Sequence, residues 1–190
     1  MSLRRAAPES VLDVFRQTGA ILEGHFLLTS GRHSGTYLEK FRILERPDET
    51  RRLCRLMAAH FRASGVQVVA GPTTGGIILS FEVARQLGVR GIFAERANRG
   101  RRFLRGFRVE PGERTLVVDD ILTTGGSIRD VLEAVREAGG QPIGVAVLAD
   151  RTAGGTDFGV PLFACAALDI ESYEPSECPL CREGIPLIKT

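Results

Sequence analysis

Thr115-Leu116-Val117-Val118-Asp119-Asp120-Ile121-Leu122-Thr123-Thr124-Gly125-Gly126-Ser127 decides how this chain folds. Its first half is a short apolar run with the length of a buried strand, and it ends in two carboxylates and a turn of small residues. From Ser127 to Ala138, Ile128, Val131, Leu132 and Val135 recur at 3.6-residue spacing, which predicts a helix with one apolar face. A strand that runs through a Gly-rich turn into a helix presents the turn's backbone N–H groups at a helix N-terminus, where an anion binds. The turn has neither the lysine of a Walker loop nor GxGxxG spacing.

Working outward, strands and helices alternate, which predicts an α/β fold with a mostly parallel central sheet flanked by helices. Glu9 to Thr18 reads as a helix, Ala20 to Leu28 as extended, Ser30-Gly31 as a turn and Thr36 to Phe41 as a short strand. A helix is expected from Asp48, as its cap after Pro47, to Ala63, with a stop near Gly65. Val66 to Ala70, Gly91 to Ala94, Ile143 to Ala149 and Leu162 to Ala167 read as further strands, and Ile77 to Leu87 as a helix ending at Gly88. The expected organisation is a single domain over residues 1–190. Residues 1–47 form a small N-terminal covering element, 48–170 the α/β core and 171–190 an attached tail.

Gly71-Pro72-Thr73-Thr74-Gly75-Gly76 lies between a strand and a helix, so it is a second anion loop built by the same logic. A single ligand with two separated phosphate groups would use both loops. The carboxylates of Asp119 and Asp120 are suited to sugar hydroxyls, or to a Mg²⁺ ion, rather than to phosphate. In such sheets the ligand sits at the carboxyl ends of the strands.

The chain of 190 residues has 43% hydrophobic and 25% charged residues, the composition of an ordinary globular protein. No apolar run approaches bilayer length, and Met1 to Pro8 lacks the apolar core of a signal peptide, so a cytoplasmic protein is expected. A net charge of +2 gives no general reason to expect nucleic-acid binding. The charge is unevenly placed, because Arg96, Arg99, Arg101, Arg102, Arg105 and Arg108 fall in one acid-free stretch between Glu95 and Glu110. That stretch is too polar to pack and too long for a tight hairpin, and reads as a loop that needs a local anion.

The 115–127 run resembles the phosphoribosyl-diphosphate (PRPP) motif of type I phosphoribosyltransferases. The resemblance covers residues of about 10–155 with all motifs in the family's order, and it implies that family's fold with a small N-terminal hood. It implies that Asp119 and Asp120 meet the ribose hydroxyls, that Ile121 to Ser127 cradles the 5-phosphate, and that Thr73, Thr74 and Gly75 bind diphosphate around a non-proline cis peptide. It makes the arginine stretch a flexible loop that closes over PRPP, with Arg96, Arg99, Arg101, Arg102 and Arg105 as candidate cations. The loop often reaches a neighbouring subunit's site, which implies a homodimer. Mg²⁺, carried by the substrate and within reach of Asp119 and Asp120, is the implied cofactor. The family's usual Glu-Asp pair is Asp-Asp here, and lysines found in some members are replaced by Gly75, by Thr29 and, in the loop, by arginine.

Phe26-Leu27-Leu28-Thr29-Ser30-Gly31-Arg32-His33-Ser34-Gly35-Thr36-Tyr37-Leu38 resembles the element of orotate phosphoribosyltransferases that covers the pyrimidine. Ser30, Gly31 and Ser34 offer donors to a planar base with carbonyls and a carboxylate. Arg151, just after a strand, can hold that carboxylate in a bidentate way, and Thr123 is implied as a second orotate contact. The expected reaction is transfer of the 5-phosphoribosyl group to orotate in pyrimidine synthesis. A purine phosphoribosyltransferase, or a PRPP-sensing regulatory protein of the same fold, stays open.

The four cysteines do not form a disulfide framework in a chain of this size. Cys54 and Cys165 read as buried small hydrophobes. Cys178-Pro-Leu-Cys181 is half of a zinc site, and no other CxxC or close His pair supplies the rest. The expected route to a metal is therefore two such pairs meeting across an oligomer, with a reversible disulfide as the other use. His33 reads as a polar loop residue.

Overall fold

Ser10 and Asp13 start the first helix by capping it reciprocally. The Asp13 amide donates to Ser10 Oγ and the Ser10 amide donates to the Asp13 carboxylate. The computed structural model describes residues 10–152 and 154–189. After α1 (Val11–Gln17) come β1 (Ile21–Leu27) and β2 (His33–Leu38), an antiparallel hairpin joined through Ser30-Gly31. The ladder is irregular between Glu23 and Phe26, and this breaks the alternation of side chains. Consecutive residues His25 and Phe26 are both buried as a result, at 1% and 4% exposure. His33 is a buried strand residue rather than a loop residue, paired with Leu27 on one side and bridged to Tyr173 on the other.

The chain divides into two compact units near the short helix α2 (Phe41–Leu44). One unit is Leu44–Leu168. The other joins the N-terminal residues up to Ile43 to the stretch from Asp169 onward.

The larger unit begins with α3 (Pro47–Phe61). Its N-cap is Arg46 with Pro47 in the first turn, and Asp48 lies inside the helix rather than capping it. Proline fits there because its missing N–H has no helical partner to lose. The unit continues with β3 (Val68–Pro72), α4 (Gly75–Leu87), β4 (Arg90–Arg96), β5 (Arg101–Phe103), β6 (Arg114–Leu122), α5 (Gly126–Glu137), β7 (Gln141–Asp150) and β8 (Leu162–Ala167). These strands form one sheet in the order β5-β4-β3-β6-β7-β8, parallel except for β5. Ile128, Val131, Leu132 and Val135 of α5 pack on Val68, Ala70, Val117, Val145 and Val147, the core that the apolar periodicity predicts. The carboxyl ends of β3, β4, β6 and β7 share one edge. The chain leaves β3 for β4 on one side and later places β6 on the other, so the crevice of a topological switch point falls between β3 and β6.

The arginine stretch is not wholly a loop. Arg101–Phe103 pairs antiparallel with Ala94–Arg96 across a turn at 97–100, so the segment begins as a hairpin that packs on the sheet edge. In the tail, α6 (Pro179–Arg182) and β9 (Ile188–Lys189) belong to the N-terminal unit, where β9 pairs parallel with β1. Among the described residues no helix is long and apolar enough to cross a membrane.

Candidate active site

Helices α4 and α5 both start without a side-chain cap and with no acidic residue in the first turn. Their first amides are therefore not neutralised by a carboxylate of the helix's own first turn. The two helices follow β3 and β6, adjacent strands in the sheet, so both N-termini open at the switch-point edge.

At the second of these sites the turn depends on Gly125. It caps α5 at φ +77, and a Cβ there would come within 2.9 Å of the Arg129 guanidinium and 3.0 Å of the Phe158 ring. Arg129 stacks over Phe158 and donates to the Thr124 carbonyl at 2.6 Å, which fixes the outer rim. Thr123 and Thr124 stay exposed at the strand end.

Asp119 and Asp120 close β6 and are 7% and 4% exposed. Each carboxylate accepts the next residue's amide, Asp119 from Asp120 N–H at 2.8 Å and Asp120 from Ile121 N–H at 2.7 Å. These bonds hold both groups at the strand end. At Gly75 a Cβ would collide with the Asp120 carboxylate, so a glycine is required for the first loop to reach the acidic pair. The structure thus brings Thr73 to Gly76 and Asp119 to Ser127 together at one edge. The Thr73–Thr74 peptide is cis, as the family resemblance implied.

Among the loop arginines, Arg101 stands apart. It is 6% exposed, and its guanidinium donates to Thr73 Oγ1 at 3.0 Å and to the Ala94 carbonyl at 3.3 Å, while its Nε is buried with no protein acceptor among the described residues. Burial pulls its pKa below the ordinary arginine value; Asp119 and Asp130 oppose that shift and Arg96 adds to it. Arg101 is therefore a fixed cation beside the first loop. Arg105 pairs with Glu95 through two bonds of 2.6 and 3.0 Å, and Arg96, Arg99 and Arg102 are exposed on the hairpin.

Arg151 follows β7, and its amide donates to the Leu122 carbonyl at 2.9 Å, which anchors it next to Thr123. Asp150 accepts from both the amide and the hydroxyl of Thr152 at 2.7 Å, and this holds the bend that carries Arg151. Ser30, Gly31 and Ser34 lie in the N-terminal unit. Ser30 and Gly31 are exposed in the hairpin turn. Ser34 is fully buried and its hydroxyl donates to the Glu171 carbonyl at 2.6 Å, so that hydroxyl is engaged within the unit rather than presented to a base.

An acidic pair beside two helix N-termini without side-chain caps, on a parallel sheet edge, has the donors and acceptors that a phosphorylated sugar requires. The phosphoribosyl transferase domain model matches residues 42–157, and the chain belongs to that family. Among its relatives is the orotate phosphoribosyltransferase of Pelotomaculum thermopropionicum, 52% identical over 181 residues that cover 95% of each chain. That of Caldanaerobacter subterraneus is 50% identical over 95% of each. The crystal structure of the Aeropyrum pernix orotate phosphoribosyltransferase superposes with a TM-score of 0.69 at 29% identity, covering 83% of this chain and 93% of the other.

Proposed function

We propose that this chain transfers the 5-phosphoribosyl group of PRPP to N1 of orotate, forming orotidine 5′-phosphate and diphosphate in pyrimidine synthesis. Identity of about half over nearly the whole length to proteins of that activity carries the reading. The anchored position of Arg151 beside Thr123 supports orotate as the acceptor, because a base with a carboxylate needs a fixed fork-shaped cation.

The 5-phosphate binds the N-terminus of α5, and Asp119 and Asp120 accept the ribose hydroxyls. The diphosphate meets the N-terminus of α4, Thr73 and Arg101, whose buried Nε has a donor to give. Orotate lies against Thr123 and Arg151. As the C1′–O bond to diphosphate breaks, positive charge develops on the sugar and negative charge on the leaving group, while N1 of orotate bonds to C1′ and its proton passes to solvent or to the departing diphosphate. No side chain here serves as a nucleophile. Catalysis consists of holding the two reactants in line and offering fixed donors where the diphosphate charge grows. The exposed Arg99 and Arg102 of the hairpin are the cations that close over it.

The buried hard-oxygen pair Asp119 and Asp120, facing a loop kept clear of side chains by Gly75, fits a Mg²⁺ carried by PRPP. Bound there, the ion would neutralise charge on the diphosphate. A homodimer goes with this reading, and Ile78 and Phe81, exposed one turn apart on α4, give such a partner an apolar surface to cover. Light scattering at several concentrations reads the mass directly. The activity is tested by loss of orotate absorbance with PRPP and Mg²⁺. Turnover of adenine, hypoxanthine or xanthine with orotate inert would replace this reading with a purine enzyme.

A further inference from the structure

His25, His33, Cys178 and Cys181 converge in the N-terminal unit, with one ligand-type atom from each lying within 4.8 Å of all the others. The expectation that the CxxC lacks a second half is corrected by the fold. The missing half is a histidine pair eight residues apart, brought together by the irregular β1–β2 hairpin. His25 Nε2 lies 3.0 Å from His33 Nδ1, 3.5 Å from Cys178 Sγ and 3.7 Å from Cys181 Sγ, and Cys181 Sγ is 3.3 Å from His33 Nδ1. A tetrahedral ion with zinc bond lengths sets N···S separations of about 3.5 Å and N···N of about 3.3 Å. The four atoms already stand near the corners of that tetrahedron.

The surroundings fix the chemistry. His25 Nδ1 is 2.7 Å from the Ile185 carbonyl, which can only accept, so Nδ1 carries a proton and Nε2 is the nitrogen that faces the other three groups. This is the outer hydrogen bond that orients a metal-binding histidine. Its acceptor is positioned by the end of α6, where Gly184 at φ +69 reverses the chain and the Ile185 amide donates to the Leu180 carbonyl. His25, His33 and Cys178 are at most 6% exposed while Cys181 lies at the surface, so three of the four groups are buried, and an ion there would have four protein ligands.

We propose that His25, His33, Cys178 and Cys181 bind one structural Zn²⁺ ion that ties the C-terminal tail to the N-terminal hairpin. Two sulfur and two nitrogen ligands in tetrahedral array select zinc over the oxygen-seeking Mg²⁺. The unit needs such a link. It falls below the ~70 residues at which one core suffices, and β9 is a two-residue strand whose Ile188 is exposed. The ion would close a loop of some 150 residues between His25 and Cys178. The four residues take no part in the proposed transfer, and the test does not depend on turnover.

The full-length chain, purified without chelator or polyhistidine tag, should contain one zinc per chain by plasma mass spectrometry. The Cys178→Ala/Cys181→Ala double variant should fall to about a tenth or less of that, while Cys165→Ala keeps it. Should the double variant not fold, Co²⁺ added to metal-stripped wild type provides the second measurement. One equivalent should produce tetrahedral ligand-field bands and thiolate-to-cobalt charge transfer. Burial raises the Cys54 thiol far above its ordinary value and pushes Cys165 up to about 12, so a thiol count on the native stripped protein reports Cys178 and Cys181. The proposal is overturned by wild type that holds no stoichiometric metal even after dialysis against Zn²⁺, by an octahedral cobalt spectrum without charge transfer, or by an intact mass two hydrogens lower from a Cys178–Cys181 disulfide.

Discussion

The two ligand-binding regions of this molecule are assembled in opposite ways. The sugar-phosphate edge takes most of its groups from two continuous stretches, 73–76 and 119–127, each of which runs from strand end to helix start. The His–Cys cluster takes two ligands from a hairpin and two from a segment about 150 residues later. The first works through backbone amides and carboxylates that one local motif can supply. The second needs four side chains at the corners of a tetrahedron, which no short segment of this chain offers. Damage to one should therefore leave the other intact, and each of the following experiments presses on that separation.

Asp120→Asn should have the largest effect. It removes a ribose-binding charge and should lower kcat/KM for PRPP by about 10²–10³, with zinc content unchanged. Normal PRPP kinetics would remove the ribose assignment. Gly75→Ala should cost about 10² in the same parameter, since the new methyl must push the Asp120 carboxylate aside. Calorimetry that finds full PRPP affinity in this variant would show that the approach of loop and carboxylate is not needed.

Arg151→Ala should raise KM for orotate by roughly 10–10² with little change for PRPP; equal losses for both substrates would count against the carboxylate role. Cys181→Ser bears on the other side of the comparison. It should lower Tm by roughly 5–10 °C, while PRPP binding at the α4 and α5 termini persists. A variant as stable as wild type, with zinc retained, would sink the tether. Smallest is Ser10→Ala, which opens the α1 capping box and should lower Tm by about 2–4 °C without touching either site.

The strand-turn-helix at 115–138 was legible because its determinants are neighbours. Apolar periodicity names the strand and the helix, and Gly125-Gly126 names a turn that no side chain caps. Leu162 to Ala167 was legible to the residue, as a short apolar run. Arg101 was readable only as one of several loop cations. Its burial against Thr73 follows from the β4–β5 pairing, which composition cannot reveal in a segment so rich in charge. Ser34 reads as a ligand donor from its hydroxyl and its place beside the Ser30-Gly31 turn, whereas its partner, the Glu171 carbonyl, comes from the far end of the chain.

The sequence by itself determined the α/β alternation, the two anion loops and the acidic pair, because helix periodicity, turn chemistry and capping act over a few residues. Only the tertiary structure decided that Gly75 must lie against Asp120, that Arg101 is a fixed cation, and that Cys178 and Cys181 meet two histidines. The ladder irregularity between Glu23 and Phe26 turns His25 inward, and the parallel pairing of β9 on β1 returns the tail to it. Both depend on pairings between distant strands, whose partners a linear pattern does not name.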